Sequence, residues 1–415
     1  MSRKVVVIGG GIVGLCTAFY LEQEGYQVTL LDQSDMNEGA SYVNAGFISP
    51  SHLIPLASPG MVQQGLKWMF RSTSPLYIKP RLEKEFLLWA RAFQKSCTLT
   101  KSEKAVQAIK DISVLSVQLY QEMRTLPSFQ FHLEHKGLLT LCLTEKALEK
   151  EQRLAQLVNR ESLGAQLLSR RELKTLEPSI SEAVIGGVHY HCDWHSTPYL
   201  VMQQLKAHLK NQGVTIIPKQ AVVSFKMKGT AIQAAQTATT AYEGDQFVLA
   251  AGSWSGSLVK QFGHTLLLQA GKGYRIDVSR KLPISLPAIL SETKVAVTPM
   301  EHATRFAGTM ELSGINKKIR PERVSAIANA VPNYYENISV LEEEQAQAAC
   351  GLRPVTPDGL PYIGFSSQCK NLAIATGHAM MGWSMAPATG KVIAALLSGK
   401  KPPISATAFD PNRKF

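Results

Sequence analysis

Three glycines and one aspartate near the N-terminus have the types and spacing that bind a dinucleotide. Gly9, Gly11 and Gly14 form the pattern G-x-G-x-x-G, and Asp32 ends the next apolar run. In such a turn the first glycine permits a tight bend, the second lets a pyrophosphate approach the backbone, and the third lets a helix pack close to a strand. Asp32 would accept hydrogen bonds from ribose hydroxyls, which disfavours NADP with its 2′-phosphate. FAD and NAD both remain open.

Three later segments have small residues that would let backbone approach a flat ring or a diphosphate. Residues 39–46 contain Gly39-Ala40-Ser41 and Asn44-Ala45-Gly46, although an ordinary surface loop would have the same composition. Residues 248–254 run from an apolar strand into Ala-Gly-Ser-Trp. Gly377-His378 and residues 381–385 precede a helix predicted over 386–397, whose N-terminus would face an electron-rich group.

Hydrophobic periodicity predicts the elements that must position these residues. Val5–Ile8 and Val28–Leu31 are predicted to be buried strands, and the helical spacing of apolar residues between them predicts strand, turn, helix, strand. The fold class predicted is therefore α/β. The other predicted strands are 137–143, 187–192, 214–217, 295–298 and 372–375, and the other predicted helices are 107–123, 145–163 and 198–209.

Composition places the chain among ordinary globular proteins. It has 415 residues, of which 45% are hydrophobic and 18% charged, and this balance excludes disorder and collagen. The net charge of +12 favours anionic partners, but no base-reading motif accompanies it, so nucleic acid is not expected. The six cysteines form no CxxC pair. Neither a zinc site nor a disulfide framework is therefore predicted, and reduced thiols fit a cytosolic protein.

The chain resembles the D-amino-acid oxidase-like flavoproteins, the group that includes glycine oxidase and sarcosine oxidase. Within them it is most similar to the small subunit of bacterial D-amino-acid dehydrogenases. The resemblance covers nearly the whole chain. It is carried by residues 41–60, 67–70, 74–76, 272–274, 308–311 and 351–390.

The resemblance implies FAD bound without a covalent link. Residues 1–70, 195–262 and 345–415 would form a Rossmann-like FAD-binding domain. Residues 71–194 and 263–344 would form an interleaved α+β substrate domain on an antiparallel sheet. The candidate cofactor contacts are Gly9, Gly11, Ile12, Val13, Gly14, Asp32, Gln33, Ser41, Asn44, Ala45, Gly46, Val222, Ala250, Gly252, Trp254, Gly377, Met381, Gly382, Trp383, Ser384 and Met385.

An α-amino acid substrate requires a cation for its carboxylate, and Arg353 is the first candidate. Arginine forms a planar fork that matches a carboxylate with two hydrogen bonds. A structural salt bridge to Asp358 or another acidic residue is the alternative for that side chain. The further candidate catalytic residues, each of which has an ordinary structural role as its alternative, are Tyr274, His52, His378 and Glu311.

Two departures from glycine-oxidase-like relatives bear on the substrate. Those relatives have a tyrosine on the strand that here reads Ala296-Val297-Thr298-Pro299, and an arginine where Met380 stands. A pocket lined by Ala296 and Met380 would be roomier and more apolar. Larger or cyclic D-amino acids are therefore expected rather than glycine.

Residues 67–95 alternate basic and aromatic side chains, a composition typical of a surface that contacts an anionic membrane. The alternative is a helix packed by its aromatic face. A cytoplasmic location is expected, with peripheral attachment to the inner face of the plasma membrane. Attachment would bring the reduced flavin to a quinone, while oxygen is the alternative acceptor.

The function predicted is FAD-dependent oxidation of D-amino acids to imino acids, which water hydrolyses to 2-oxo acids and ammonia. One alternative is a dehydrogenase or oxidase for D-hydroxyproline or another cyclic amine. The alternative from another class is a flavin-binding subunit without turnover of its own.

Overall fold

A six-stranded sheet begins at the N-terminus of the chain. The computed structural model describes residues 3–63, 65 and 74–415. All neighbouring strands of this sheet are parallel except the last pair, which is antiparallel. Apolar side chains fill both faces, as a sheet covered on both sides requires. From one edge to the other the strands are Thr215–Ile217, Gln27–Leu31, Lys4–Ile8, Gln246–Leu249, Leu372–Thr376 and Tyr362–Phe365.

Two helices that follow strands of this sheet pack closely against each other. They span Ile12–Gln23 and Gly382–Leu397. A side chain at Gly390 would lie 2.6 Å from the Cys16 carbonyl, so only glycine permits this approach. Further helices span Ala40–Val43, Lys84–Ser96, Leu99–Thr125, Glu145–Arg160, Arg170–Leu176, Pro198–Asn211, Ser255–Val259, Pro321–Ala328, Val331–Tyr334 and Glu342–Ala346.

A nine-stranded sheet forms the second large layer. Most of its pairs are antiparallel, as predicted, but Ala288–Leu290 pairs in parallel with Leu138–Cys142, and Leu76–Ile78 with Thr304–Leu312. The strands in order are Ala349–Val355, Gln269–Val278, Thr304–Leu312, Val295–Pro299, Ala288–Leu290, Leu138–Cys142, Gly186–Tyr190 and Ala165–Ser169, with Leu76–Ile78 beside Thr304–Leu312.

Two three-stranded sheets complete the strand pairing. One consists of Ser224–Lys228, Ala231–Gln236 and Ala241–Glu243. The other, here called the small sheet, pairs Trp194–Ser196 with Phe47–Ile48 on one side and Leu133–Glu134 on the other. The small sheet therefore joins segments that are far apart in the sequence.

The division into two interleaved domains stays a prediction, and the strand pairing crosses its boundaries at Ala349–Val355 and in the small sheet. Every strand of the six-stranded sheet lies in the ranges expected for the cofactor domain. Ala349–Val355 lies in the last of those ranges but pairs in the nine-stranded sheet, because its partner is Gln269–Val278. The proposed boundary between residues 70 and 71 lies outside the described residues.

The helix Lys84–Ser96 turns its aromatic side chains inward. Trp89 is buried, stacks on Phe86 and Phe93, and donates from Nε1 to the Val355 carbonyl at 2.9 Å. Leu87 and Leu88 are exposed. The predicted residues Lys67, Trp68, Phe70 and Arg71 lie outside the described residues. Within the described part of the chain, no helix has the length and apolar character needed to cross a membrane.

Candidate functional site

A cleft of about 590 Å³ runs between the six-stranded sheet and the edge of the nine-stranded sheet. Many of the residues predicted to bind the cofactor or the substrate line this cleft. They come mostly from segments that follow strands of the six-stranded sheet and from the C-terminal part of the chain. They are Gly9, Gly11, Ile12, Val13, Asp32, Gln33, Ser41, Asn44, Val222, Ala250, Gly252, Trp254, Arg353, His378, Gly382 and Trp383.

The glycine turn has the geometry that the motif predicts. Gly9 has a φ of 113°, and a side chain there would lie 2.4 Å from the Ala250 carbonyl oxygen. A side chain at Gly14 would lie 1.8 Å from the Gly9 carbonyl, so Gly14 packs helix against strand and does not itself line the cleft. Gly11 precedes the helix Ile12–Gln23 without a side chain of its own, and the Ile12 N–H donates to the Ser41 hydroxyl at 2.9 Å, which leaves the next N–H groups of the first turn. The helix N-terminus therefore faces the cleft with its partial positive charge.

Asp32 lies at the cleft with most of its acceptor capacity already used. Its carboxylate accepts hydrogen bonds from the backbone N–H of Gly10 at 2.6 Å and of Ser34 at 2.7 Å, and from the Ser34 hydroxyl at 2.6 Å. A carboxylate has about four lone-pair sites. One ribose hydroxyl can therefore bind without rearrangement, and a second requires Ser34 to move.

The loop after the short helix Ala40–Val43 is held in place by the nine-stranded sheet. Arg305 donates to the carbonyls of Tyr42 at 2.8 Å and Asn44 at 2.7 Å, while Asp277 holds the other side of its guanidinium. Thr298 donates to the Ala45 carbonyl at 2.7 Å. Sequence reasoning missed this function of Arg305 and Thr298, because it depends on strand pairing between distant segments.

A second helix N-terminus faces the cleft at Gly382. Met381, the residue before this helix, provides no side-chain cap, so the first N–H groups are available to a ligand. Ser384 does not line the cleft, because its hydroxyl donates to the Phe47 carbonyl. Met385 is buried in the core.

His378 lies in the cleft wall as a neutral imidazole. Burial lowers its pKa to about 3. Its Nε2 lies 2.9 Å from the Thr389 hydroxyl, whose single proton is donated to the Met385 carbonyl. Nε2 must therefore carry the ring hydrogen and donate to Thr389.

Arg353 is the cation of the cleft without a carboxylate partner in the described part of the chain. Its Nη1 donates to the Thr309 carbonyl at 2.9 Å. Burial lowers its pKa to about 10, so it is still charged at neutral pH. The alternative of a salt bridge to Asp358 is excluded in this structure, because Arg413 holds that carboxylate in a two-pronged contact.

Gly273 makes the space that the Arg353 guanidinium occupies. A side chain at Gly273 would lie 2.2 Å from Nη2 of Arg353. Both residues line the cleft. Sequence reasoning placed Gly273 in a matching segment without assigning it this function.

Tyr274 and Glu311 lie outside the cleft. Tyr274 is fully buried and donates to Glu311 at 2.7 Å, while the Lys272 ammonium lies 3.1 Å from the same carboxylate. Burial alone would raise the pKa of Glu311, but hydrogen bonds from three neighbouring side chains outweigh it and lower the pKa. Successive residues of a strand point to opposite faces of the sheet. Because Gly273 lies on the face that lines the cleft, the side chain of its neighbour Tyr274 points to the other face. Glu311 and Lys272 instead line a second cavity of about 520 Å³.

Several other predicted residues also lie outside the cleft lining. His52 has an exposed side chain in the loop after the strand Phe47–Ile48. Gly46 packs against the Ser196 carbonyl, and Gly377 forms a turn with a φ of 83°. Ala45 and Met381 complete this set.

The cleft also contains residues that sequence reasoning missed. Glu38 and Lys317 line its rim and form an ion pair between the two sides. Cys350 lies along the wall, as does Met380, which was expected to line the pocket, whereas Ala296 is not part of the lining. No local motif marks these residues, because their contribution depends on how the sheets face each other.

Comparisons with known proteins agree with this geometry. The family model described as "FAD dependent oxidoreductase" (DAO) matches residues 4–396. The chain is 31% identical over 407 residues to a D-amino acid dehydrogenase of Vibrio vulnificus strain YJ016, covering 96% of each chain. It is 29% identical over 410 residues to a D-amino acid dehydrogenase of Agrobacterium fabrum strain C58, covering 97% of each.

Solved structures with the same fold include two amino-acid oxidoreductases. Glycine oxidase from Geobacillus kaustophilus superposes with a TM-score of 0.79 at 20% identity, over 100% of both chains. L-proline dehydrogenase from P. horikoshii superposes with a TM-score of 0.74 at 18% identity, over 99% of this chain and 97% of that one.

Proposed function

The chain belongs to the FAD-dependent oxidoreductase family, and on this premise we propose that it oxidises D-amino acids to 2-oxo acids and ammonia. The observation that carries the proposal is the Arg353 guanidinium at the cleft, which has no carboxylate partner among the described residues. A partly buried cation without a counter-charge is costly, and a substrate carboxylate would remove that cost.

The chain provides three groups that suit FAD without a covalent link. The helix N-termini at Ile12 and Gly382 suit negative charge, of the pyrophosphate and of the reduced flavin respectively. Asp32 has acceptor capacity for ribose. FAD held by these groups would supply the acceptor for the hydride that leaves the substrate α-carbon.

The chain's own residues bind and orient the substrate. Arg353 would hold the carboxylate with two parallel hydrogen bonds, which fixes the direction of the α-carbon. His378 stays neutral at physiological pH, so it adds no charge beside the substrate amine. The imino acid formed by loss of a hydride and a proton then takes up water, and the C–N bond breaks to give a 2-oxo acid and ammonia.

The wall near Arg353 favours a substrate with a side chain. Met380 lines the cleft and is 40% exposed. A methionine in this position offers apolar contact and no second cation. This supports D-amino acids larger than glycine, in line with the D-amino acid dehydrogenases to which the chain is similar.

An anaerobic titration of the FAD-loaded protein tests the proposal. D-alanine is expected to bleach the flavin absorbance, whereas L-alanine and glycine are expected to do so poorly. Bleaching by D-proline alone would favour the cyclic-amine alternative. A flavin that no amine reduces would contradict the proposal and favour a binding subunit without turnover.

The same reduced sample identifies the electron acceptor. A quinone is the expected acceptor, and the exposed face of the helix Lys84–Ser96 is the proposed contact with a membrane that contains it. Rapid reoxidation by air without quinone would instead identify an oxidase.

A further inference from the structure

Three residues from two distant segments of the chain meet at the small sheet, away from the cleft. Glu134 lies directly opposite His195 in the antiparallel pairing of Leu133–Glu134 with Trp194–Ser196. Directly opposed residues share one face of a sheet, so these side chains are neighbours. His132 precedes the same strand and stacks edge-on against His195, with ring centroids 5.4 Å apart.

The distances within this cluster are those of metal ligands. Nε2 of His195 lies 3.3 Å from Glu134 Oε2, and Nε2 of His132 lies 3.6 Å from Glu134 Oε1. The three ligand atoms all lie within 4.8 Å of one another. Two ligands at zinc bond lengths and a tetrahedral angle are about 3.3 Å apart. Small side-chain shifts would therefore let one ion contact all three.

His195 is a buried group with unmet hydrogen-bonding capacity. Its side chain is 0% exposed, and among the described residues the only groups that its ring nitrogens face are the Glu134 carboxylate and the Pro299 backbone, neither of them in good hydrogen-bond geometry. Buried polar atoms without partners are rare and costly. A bound cation would satisfy the nitrogen that faces Glu134.

The Nδ1 atom of His132 has a hydrogen-bonding partner, as the non-ligating ring nitrogen of a metal-bound histidine usually does. This Nδ1 lies 3.0 Å from the Thr197 hydroxyl, which also accepts the Glu301 N–H at 3.1 Å. A histidine whose Nδ1–H is fixed by a partner presents its Nε2 lone pair to a metal. This contact orients His132 towards Glu134.

We propose that His132, Glu134 and His195 bind one Zn²⁺ ion, with water in the fourth position. Two imidazoles and a carboxylate form a donor set that suits zinc. The Glu134 side chain is 36% exposed, which gives the ion a path from the surface. No sequence motif predicts this site, because its ligands lie on separate segments.

The ion would stabilise the small sheet next to the cofactor region. His195 pairs with Phe47, and the Ser196 N–H donates to the Gly46 carbonyl at 2.9 Å. Trp383, which lines the cleft, donates to the Ser196 hydroxyl at 2.9 Å. The ion would therefore hold together the two short strands that carry its ligands.

Lys136 competes with the ion for Glu134. Its ammonium lies 2.7 Å from Glu134 Oε2, and its side chain is 43% exposed. It can therefore move into solvent when a cation binds. Removing this charge is expected to strengthen metal binding.

The test uses the full-length, FAD-loaded protein without an affinity tag. Co²⁺ replaces Zn²⁺ as a coloured probe, and dialysis followed by metal analysis gives the stoichiometry. One ion per chain and visible absorption bands typical of tetrahedral cobalt are expected. Glu134→Gln is expected to weaken binding by more than about tenfold, and Lys136→Met to strengthen it about fivefold.

A matched control is His191→Asn, which removes an exposed histidine outside the cluster and should leave binding unchanged. Zn²⁺ should also raise the melting temperature of the wild type but not of Glu134→Gln. Failure to bind one ion, or equal affinity in the wild type, Glu134→Gln and Lys136→Met, would overturn the proposal. The Lys136→Met result does not depend on a damaged fold, because a gain in affinity requires a folded site.

Discussion

Arg353 lies at the cleft with only a backbone carbonyl to satisfy its guanidinium among the described residues. Arg353→Ala is expected to reduce kcat/KM for D-alanine by an amount equal to about 3–5 kcal/mol, because the substrate carboxylate loses its counter-charge. Arg353→Lys should also lose activity, since lysine keeps the charge but lacks the planar fork. Stopped-flow flavin reduction provides the measurement.

An amine without a carboxylate is the control substrate for Arg353. It should react equally poorly with the wild type and with both variants, while FAD content stays normal. A marginal loss of D-alanine turnover in folded, FAD-loaded Arg353→Ala would mean that another group holds the carboxylate. Lys272 and Arg305 are poor replacements, since each is already paired with an acidic residue.

Gly273 tests the same site without removing the arginine. Gly273→Ala would place a methyl group 2.2 Å from Nη2 of Arg353, and the flexible side chain would have to move. The KM for D-alanine is expected to rise about 10- to 100-fold, because misplacing a substrate-binding group by about an ångström is costly. FAD content should not change.

The matched control for Gly273 is Gly271→Ala on the same strand. Its new methyl group would crowd Val355 and not the guanidinium. If both variants lose activity equally, general disturbance of the strand explains the loss. The proposed position of Arg353 would then have no support from this test.

Asp193 connects two segments at the start of the small sheet and gives a pH-dependent contribution to stability. Its carboxylate accepts from the Ser51 N–H at 3.0 Å and the Ser51 hydroxyl at 2.7 Å. Burial raises its pKa to about 6 despite these hydrogen bonds. The folded state therefore binds a proton that the unfolded state releases near pH 4.

The free energy of unfolding is expected to decrease as the pH rises from about 4 to 6, by up to about 3 kcal/mol from this group. The stabilising contribution of Asp193 is complete below the pKa that this carboxyl has in the unfolded chain. It is lost as the pH rises through the pKa that the carboxyl has in the folded protein. Asp193→Asn, which stays neutral, should lack this component. Urea unfolding of both proteins across this range measures it, and parallel pH profiles would contradict the assignment.

The helix Lys84–Ser96 presents basic side chains and leucines outward and aromatic side chains inward. The inward face fits a helix packed by its aromatic side chains, and contact of the outward face with an anionic membrane stays a prediction. Replacing Lys84, Arg91 and Lys95 with glutamate should release the protein from anionic vesicles at low salt. Each basic residue near such a surface contributes about 1 kcal/mol. Vesicle sedimentation provides the measurement.

The control for this helix reverses three basic residues elsewhere. Lys146, Lys150 and Arg153 are exposed on the helix Glu145–Arg160, so their replacement changes the net charge equally. Equal release of both variants would indicate attraction by overall charge. Wild-type protein that never sediments with vesicles would contradict a membrane contact.

At the scale of the whole molecule, the cofactor cleft connects the two large sheets. Gly9 and Asp32 follow strands of the six-stranded sheet, whereas Gly273 and Arg353 belong to the nine-stranded sheet. FAD should therefore stabilise both together. Each tenfold increase in free FAD above the Kd should add about 1.4 kcal/mol to the free energy of unfolding.

Thermal unfolding at increasing FAD concentrations tests this coupling. A single transition that moves upward with FAD is expected, and the denatured sample should release free flavin. Asp32→Ala should need more FAD for the same shift. Two transitions, of which only one responds to FAD, would show that the sheets unfold independently.

The sequence by itself determined the parts of this protein that depend on local pattern. The G-x-G-x-x-G motif between two apolar strands predicted the turn, the helix after it and the position of Asp32 at the end of the second strand. This was possible because the steric freedom of glycine and the apolar pattern of a buried strand are both properties of a few neighbouring residues. The C-terminal helix was predicted to begin at residue 386 and begins at Gly382, since helix ends depend on contacts as well as on propensity.

The tertiary structure alone decided which chemically active residues meet. Tyr274 and Gly273 are adjacent in the chain, but strand geometry puts Gly273 in the cleft and Tyr274 in the core, paired with Glu311. Arg305 reaches the loop at Tyr42, and His195 meets Glu134, only because distant strands pair. Such contacts are set by the packing of whole sheets, and the local sequence around each residue does not encode its partner.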